Sequence, residues 1–150
     1  MCEPLKVRDI TQSFVDKLLS ALSQVHAAGI IWGDCRPDNL GIINGEPLLI
    51  DWNLAVEQSM PTHPHNGTRC FLSQRLLRSS SNDRVVRVPD DDKESLLKSL
   101  IEITIPGIRN TINGINDPIE RAIAWENHYP IVNRKVDEAF ITWKLFVPAI

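Results

Sequence analysis

Apolar residues along this chain recur at two spacings, and each spacing predicts a different element. Phe14, Leu18, Leu22 and Val25 follow one another at helical intervals, with Val15 and Leu19 widening the stripe. Asp9 followed by Gln12 three residues on has the form of a capping box for the start of this helix. Ala27-Ala28-Gly29 ends it, with Gly29 suited to the left-handed residue after a helix. The short apolar piece Ile30-Ile31-Trp32 then leads into a polar loop over 33–39.

The second spacing is of the β type, in residues 40–43 and 48–50. Asn44-Gly45-Glu46-Pro47 separates the two runs, and Asn-Gly between apolar runs predicts a hairpin. Pro47 puts the second strand after itself or at a sheet edge. Residues 57–66, punctuated by Pro61 and Pro64, read as loop, and 79–83 as a second flexible stretch. Pro89 and Asp90-Asp91-Asp92 announce another helix, with Leu96, Leu97, Leu100, Ile101 and Ile103 as its apolar positions and Pro106-Gly107 as its close. Asp117-Pro118-Ile119-Glu120 opens a third helix. A last segment carries Val136, Ala139, Phe140 and Trp143 on one face and stops at Pro148. The pattern predicts a mainly α fold, helices around one small β-hairpin, with no internal repeat and no domain linker.

Composition narrows the classes. The 150 residues are 43% hydrophobic and 23% charged, the make-up of an ordinary globular domain able to bury a core. Sixteen basic against nineteen acidic residues give a net charge of -3, which argues against a nucleic-acid partner. Every apolar run is interrupted before it reaches membrane-spanning length, and Met1 to Ile10 has no apolar signal-peptide region. Cys2, Cys35 and Cys70 are odd in number and lack Cys-x-x-Cys spacing, so no disulfide framework is expected. An intracellular, cytoplasmic protein with no membrane partner is the expectation.

Candidate chemistry is concentrated between Ile30 and Val56. Asp34 and Asp51 each follow a short apolar run, Asn39 lies five residues past Asp34, and the hairpin can return Asp51 to the same loop. Phosphoryl transfer needs such a set: a carboxylate for the acceptor hydroxyl and oxygen ligands for Mg²⁺ on the nucleotide phosphates. Arg36 is placed to neutralise charge on the transferred group. The bland alternative for Asp34, Asn39 and Asp51 is turn chemistry, since Asp and Asn are common where strands end. Trp32 and Trp52 are expected to pack beside the loop, and Arg69, Arg75 and Arg78 to line a solvated helix face. His63, His65 and Cys70 give only weak grounds for a zinc site, and nothing marks Cys35 as reactive.

Asp34-Cys35-Arg36-Pro37-Asp38-Asn39 resembles the catalytic loop of protein kinases, His-Arg-Asp followed after four residues by Asn. Asp51-Trp52-Asn53 stands in the place of Asp-Phe-Gly, and Gly67-Thr68-Arg69-Cys70-Phe71-Leu72-Ser73 resembles the end of an activation segment. Gln74-Arg75-Leu76-Leu77 then stands where Ala-Pro-Glu would sit. Asp91-Asp92-Lys93-Glu94-Ser95-Leu96 looks like the start of the central helix of the C-terminal lobe. The chain is most similar to the fungal-type protein kinases, over roughly residues 15–103. The resemblance implies a protein kinase-like C-terminal lobe with 107–150 as helices of unassigned role.

It further implies ATP and Mg²⁺ as cofactors and transfer of the γ-phosphate to a protein Ser or Thr. Asp34 would be the catalytic base and Arg36 a contact to the transferred phosphate. Asn39 and Asp51 would be the Mg²⁺ ligands, Thr68 a bridge between Asp34 and Arg36, and Asp92 a structural tie to the catalytic-loop backbone. The departures carry expectations too. Trp32 and Gly33 replace the His and Arg, so phosphorylation of Ser59 or Thr62 is not expected to control the chain. Asn53 replaces a glycine, and Arg75 replaces a Glu that makes a buried ion pair in the family. The five-stranded N-terminal lobe, with its glycine-rich loop and strand Lys, has no room before the first helix, so a truncated domain with impaired transfer is expected. A pseudokinase-type module that recruits a protein partner at the exposed N-lobe face is a second reading. A third is a small-molecule phosphotransferase of the aminoglycoside-kinase type, suggested by Trp32-Gly33-Asp34 and Ile50-Asp51-Trp52; the 67–73 segment speaks against it.

Overall fold

The computed structural model describes residues 3–105 and 107–144. Cys2, Pro106 and Pro148 lie outside the described residues, and so do the helix-closing roles read for the two prolines. The described residues form six α-helices, α1 (Gln12–Ala27), α2 (Gln74–Arg78), α3 (Pro89–Thr104), α4 (Ile108–Asn113), α5 (Pro118–His128) and α6 (Val136–Lys144). Between them run short strands β1 (Glu3–Pro4), β2 (Ile30–Ile31), β3 (Leu40–Ile43), β4 (Glu46–Leu49), β5 (Val56–Glu57), β6 (Pro61–Thr62) and β7 (Val85–Val86). The fold is mainly α with small antiparallel sheets.

The start of α1 differs from the sequence expectation. Thr11, not Asp9, caps the helix, its hydroxyl accepting from Phe14 N at 3.2 Å. Asp9 is spent one turn earlier, where its carboxylate accepts from Lys6 N and closes a 3₁₀ turn over Val7–Asp9. The predicted stripe holds, with Phe14, Val15, Leu18 and Leu22 buried, and Gly29 takes the left-handed conformation after the helix at φ +80.

The Asn44-Gly45 turn joins β3 to β4 with both residues at positive φ, the requirement of a tight two-residue hairpin. Pro47 sits inside β4 opposite Ile42, and β4 is an edge strand, where a missing N–H does no harm. A lone hairpin was too simple a reading. β1 adds to β3 as a third strand, β2 pairs with β5, and β6 pairs with β7 inside and beyond the stretch read as loop. Each added ladder is two residues long, too short for alternation to announce it. Only the approach of distant segments decides it.

α3 is the axis of the molecule. It buries Leu96, Leu97, Leu100, Ile101 and Ile103 together with Asp91, Asp92, Ser95, Lys98 and Ser99, so it is enclosed on nearly every face. Its N-terminus carries Pro89 in the first turn, and the Asp91 carboxylate accepts from Val88 N at 2.9 Å. α6 packs Val136, Ala139, Phe140 and Trp143 onto this core. α5 packs against α2, with Trp125 Nε1 donating to Cys70 O at 2.8 Å. The segment beyond 107 therefore belongs to the same buried cluster as the motif-bearing part. No helix among the described residues is long and apolar enough to cross a membrane.

Lys98 is the costliest group in the core. Its ammonium is fully buried, donates to Leu72 O and Gln74 Oε1 at 2.6 Å each, and lies 3.6 Å from Glu94 and 5.0 Å from the Trp125 ring centre. Burial drives its pKa down to about 8, against the pull of Glu94, while burial pushes Glu94 up. Lys98→Met leaves the Glu94 charge uncompensated and is expected to cost about 3–5 kcal/mol by urea unfolding. Lys98→Met with Glu94→Gln should recover more than half of that loss. Because the folded Lys98 value lies below 10.5, the unfolded chain binds more protons between the two values. The wild-type urea midpoint should therefore rise from pH 8 to pH 10 relative to that of the double variant, since both proteins share the opposite contribution of the buried Cys35 thiol.

Candidate active site

The site is built on the segment from β2 to β5. Gly33 has φ +84, and a Cβ there would come within 2.7 Å of Leu54 O. That contact is the physical reason for the glycine: the backbone after Asp51 crosses too closely for any side chain at 33. Asp92, 2% exposed at the start of α3, fastens this turn from behind. One oxygen accepts from Gly33 N at 2.9 Å; the other accepts from Trp32 N at 2.7 Å and lies 2.8 Å from His26 Nε2.

Asp34 follows, 9% exposed, with both carboxylate oxygens held. Oδ1 accepts from the Thr68 hydroxyl at 2.8 Å and from Thr68 N at 3.2 Å. Oδ2 accepts from Asn39 Nδ2 at 3.1 Å, and the same amide nitrogen donates to Asp34 O at 2.9 Å. Arg36 Nη1 donates to the Thr68 hydroxyl at 3.1 Å, so Thr68 stands between Asp34 and Arg36. Asp34, Arg36, Asn39 and Thr68 therefore form one hydrogen-bonded group.

Asp51 reaches the same end of the hairpin by register. Ile50 N donates to Asn39 O at 3.0 Å, one step beyond the Leu40–Leu49 pair, and Asp51 comes next. Asp51 is exposed, takes φ +62, and its Oδ1 accepts from Asn53 N at 3.3 Å. Left-handed geometry thus falls on Asp51 and not on Asn53. Trp32 is completely buried and donates from Nε1 to Asp51 O at 3.0 Å. Its ring meets Trp52 at 5.4 Å, and Trp52 stays 43% exposed at the rim. Trp32 is therefore a strut for Asp51 as well as a packing residue.

The partner of Arg75 is Asp91, with Nε to Oδ1 at 3.0 Å and Nη2 to Oδ2 at 2.6 Å. Glu94 accepts from Gln74 N and lies 3.6 Å from the buried Lys98 ammonium. Arg69, Arg75 and Arg78, read as a solvated face, are exposed, and Arg78 is also paired, to Glu126 at 2.7 Å. His63 and His65 stand edge to face at 5.4 Å, and the described residues contain no group of three metal-ligating acidic, His or Cys side chains. Cys35 and Cys70 are buried thiols; burial, then the charge of Asp92, pushes the Cys35 thiol well up, which favours its protonated form. Arg87 and Lys98 are the two residues of this region that the sequence did not point to. Neither sits in a recognisable pattern, and each is held by acceptors brought from distant segments.

No family model matches the chain. A probable cAMP-dependent protein kinase catalytic subunit of Encephalitozoon cuniculi is 32% identical over 72 residues, which are 47% of this chain and 22% of that protein. A serine/threonine-protein kinase of Arabidopsis thaliana is 27% identical over 79 residues, 51% of this chain and 17% of its own length. The match thus spans about a fifth of each of these relatives. Among solved structures, vaccinia related kinase 3 superposes with a TM-score of 0.62 at 17% identity, over 83% of this chain and 41% of that one. The Cydia pomonella granulovirus kinase does so with 0.54 at 19% identity, over 67% and 36%. The chain has a protein kinase-like fold, and what it folds is the C-terminal lobe.

Asp92→Ala leaves Trp32 N and Gly33 N buried without an acceptor, at about 1–3 kcal/mol for each orphaned group. Urea unfolding should show a loss of several kcal/mol, and Asp92→Asn, which keeps one acceptor oxygen, should lose less.

Proposed function

We propose that this lobe carries the acceptor side of an ATP- and Mg²⁺-dependent transfer to the Ser or Thr hydroxyl of a protein. The observation that supports this reading best is Thr68 between Asp34 and Arg36. One hydroxyl there fixes both a carboxylate able to take the acceptor proton and a guanidinium able to balance charge on the phosphoryl group. Asp34 is the base, oriented by Thr68 and Asn39. Arg36 keeps a second amino group for the phosphoryl oxygens.

The donor set suits a hard cation. The Asn39 amide nitrogen is spent on Asp34, which leaves its oxygen as the ligand, and Asp51 offers an exposed carboxylate. Magnesium bound there with the nucleotide would screen the phosphate charge and align the γ-phosphate. The 67–73 segment, tied to Asp34 through Thr68, favours a protein acceptor over a small molecule. Transfer by these residues alone is expected to be slow, because the family's glycine-rich loop and strand lysine have no counterpart among them.

A second reading, a binding module, is favoured by Ile50, Trp52 and Leu54, which stay 36–43% exposed along the rim of the site. Calorimetry separates the two. Mg²⁺-dependent ATP binding that is lost in Asp51→Asn supports the transfer reading. No binding by either protein leaves the interaction module. In a system that transfers phosphate, Thr68→Ala should lower kcat by about 10²-fold or more while KM for ATP stays near its wild-type value.

A further inference from the structure

Arg87 lies between β7 and α3, 5% exposed, with main-chain carbonyls around its guanidinium. Nη1 donates to Gly33 O at 3.2 Å. Nη2 is shared among His63 O and Pro64 O, both at 3.4 Å, and Asn66 O. Gly33 belongs to the turn that carries Asp34, whereas 63–66 lead into Gly67 and Thr68. One guanidinium therefore spans two segments that meet nowhere in sequence.

The same carbonyl is the contact point of both segments. Gly67 has φ +117, and a Cβ there would stand 2.8 Å from Gly33 O. Thr68, the next residue, bonds Asp34 through its N–H and its hydroxyl. The acids that face Arg87 are Asp91, Asp92 and Asp34, with Arg75 opposing them, yet its hydrogen bonds go to neutral carbonyls and its Nε is buried without a partner. Burying a cation this way is costly. A planar fork can bridge two backbones; the point charge of a lysine cannot. Thr62 lies on the β6–β7 ladder just before the 63–66 segment, and its hydroxyl is buried.

We infer that Arg87 is the positioning residue that docks residues 63–68 onto the Asp34 loop, with no phosphate required on that segment. Its consequence for catalysis rests on the transfer reading above; the docking itself does not.

Amide hydrogen exchange on the whole chain tests it, in Arg87→Met and Arg87→Lys. The reporter is Thr68 N–H, bonded to Asp34, and the control is the α3 interior at Leu100 and Ile101. Arg87→Met should speed Thr68 exchange by about tenfold or more with α3 unchanged, and Arg87→Lys should fall in between. Where transfer is measurable, kcat should drop with Thr68 exchange while Mg²⁺-ATP affinity stays within about twofold, since Asn39 and Asp51 do not touch Arg87. Unchanged Thr68 exchange overturns the inference. So does acceleration throughout α3, or failure of both variants to fold, because either means a global role. A chain that binds no nucleotide in any form removes the transfer reading, and Thr68 exchange still decides the docking.

Discussion

The carboxylate of Asp92 is the constraint on which the rest of the site depends. It leaves the first turn of the most enclosed helix and collects two backbone N–H groups and a histidine from a segment some 60 residues earlier. Buried N–H groups must find acceptors, and an ionised acceptor makes the stronger bond. The turn at 32–33 is thereby fixed against α3, and Asp34 inherits its position. With that turn anchored, Gly33 can be crossed by the backbone at Leu54 and Gly67, and the loops close on one another.

From that anchor the site is assembled by shared contacts. Trp32 takes its backbone bond from Asp92 and passes the constraint to Asp51 through its indole N–H. Thr68 reports the position of the 63–68 segment to Asp34 and Arg36 at once. Four buried charges of this lobe, Asp91, Asp92, Arg87 and Lys98, sit where separate segments meet. Each would be expensive alone, and each is held by hydrogen bonds to a segment other than its own. That is how a lobe with so much short, irregular backbone keeps one arrangement of its loops.

Much of this was legible in the residues. The Phe14 to Leu22 stripe, the Asn44-Gly45 turn and the acid-rich start at Pro89 are local signals, and the elements they announce exist. The grouping of Asp34, Arg36, Asn39 and Thr68 was legible through resemblance, because motif order stands in for distance. The cap of α1 was misjudged by two residues, since Asp9 and Thr11 compete and only the course of the chain before the helix selects Thr11. The two-residue ladders and the partner of Arg75 escaped because nothing within a few residues encodes them.

By itself the sequence determined the four longer helices, the hairpin and the identity of the polar groups in the loop, all properties of neighbours along the chain. Tertiary structure alone decided why position 33 must be glycine, why Trp32 is buried between Asp92 and Asp51, and what partners Arg87 and Lys98 find. The physical reason is the same each time. A buried polar group is justified by partners brought from elsewhere, and a close backbone crossing exists only once both strands of the crossing are in place.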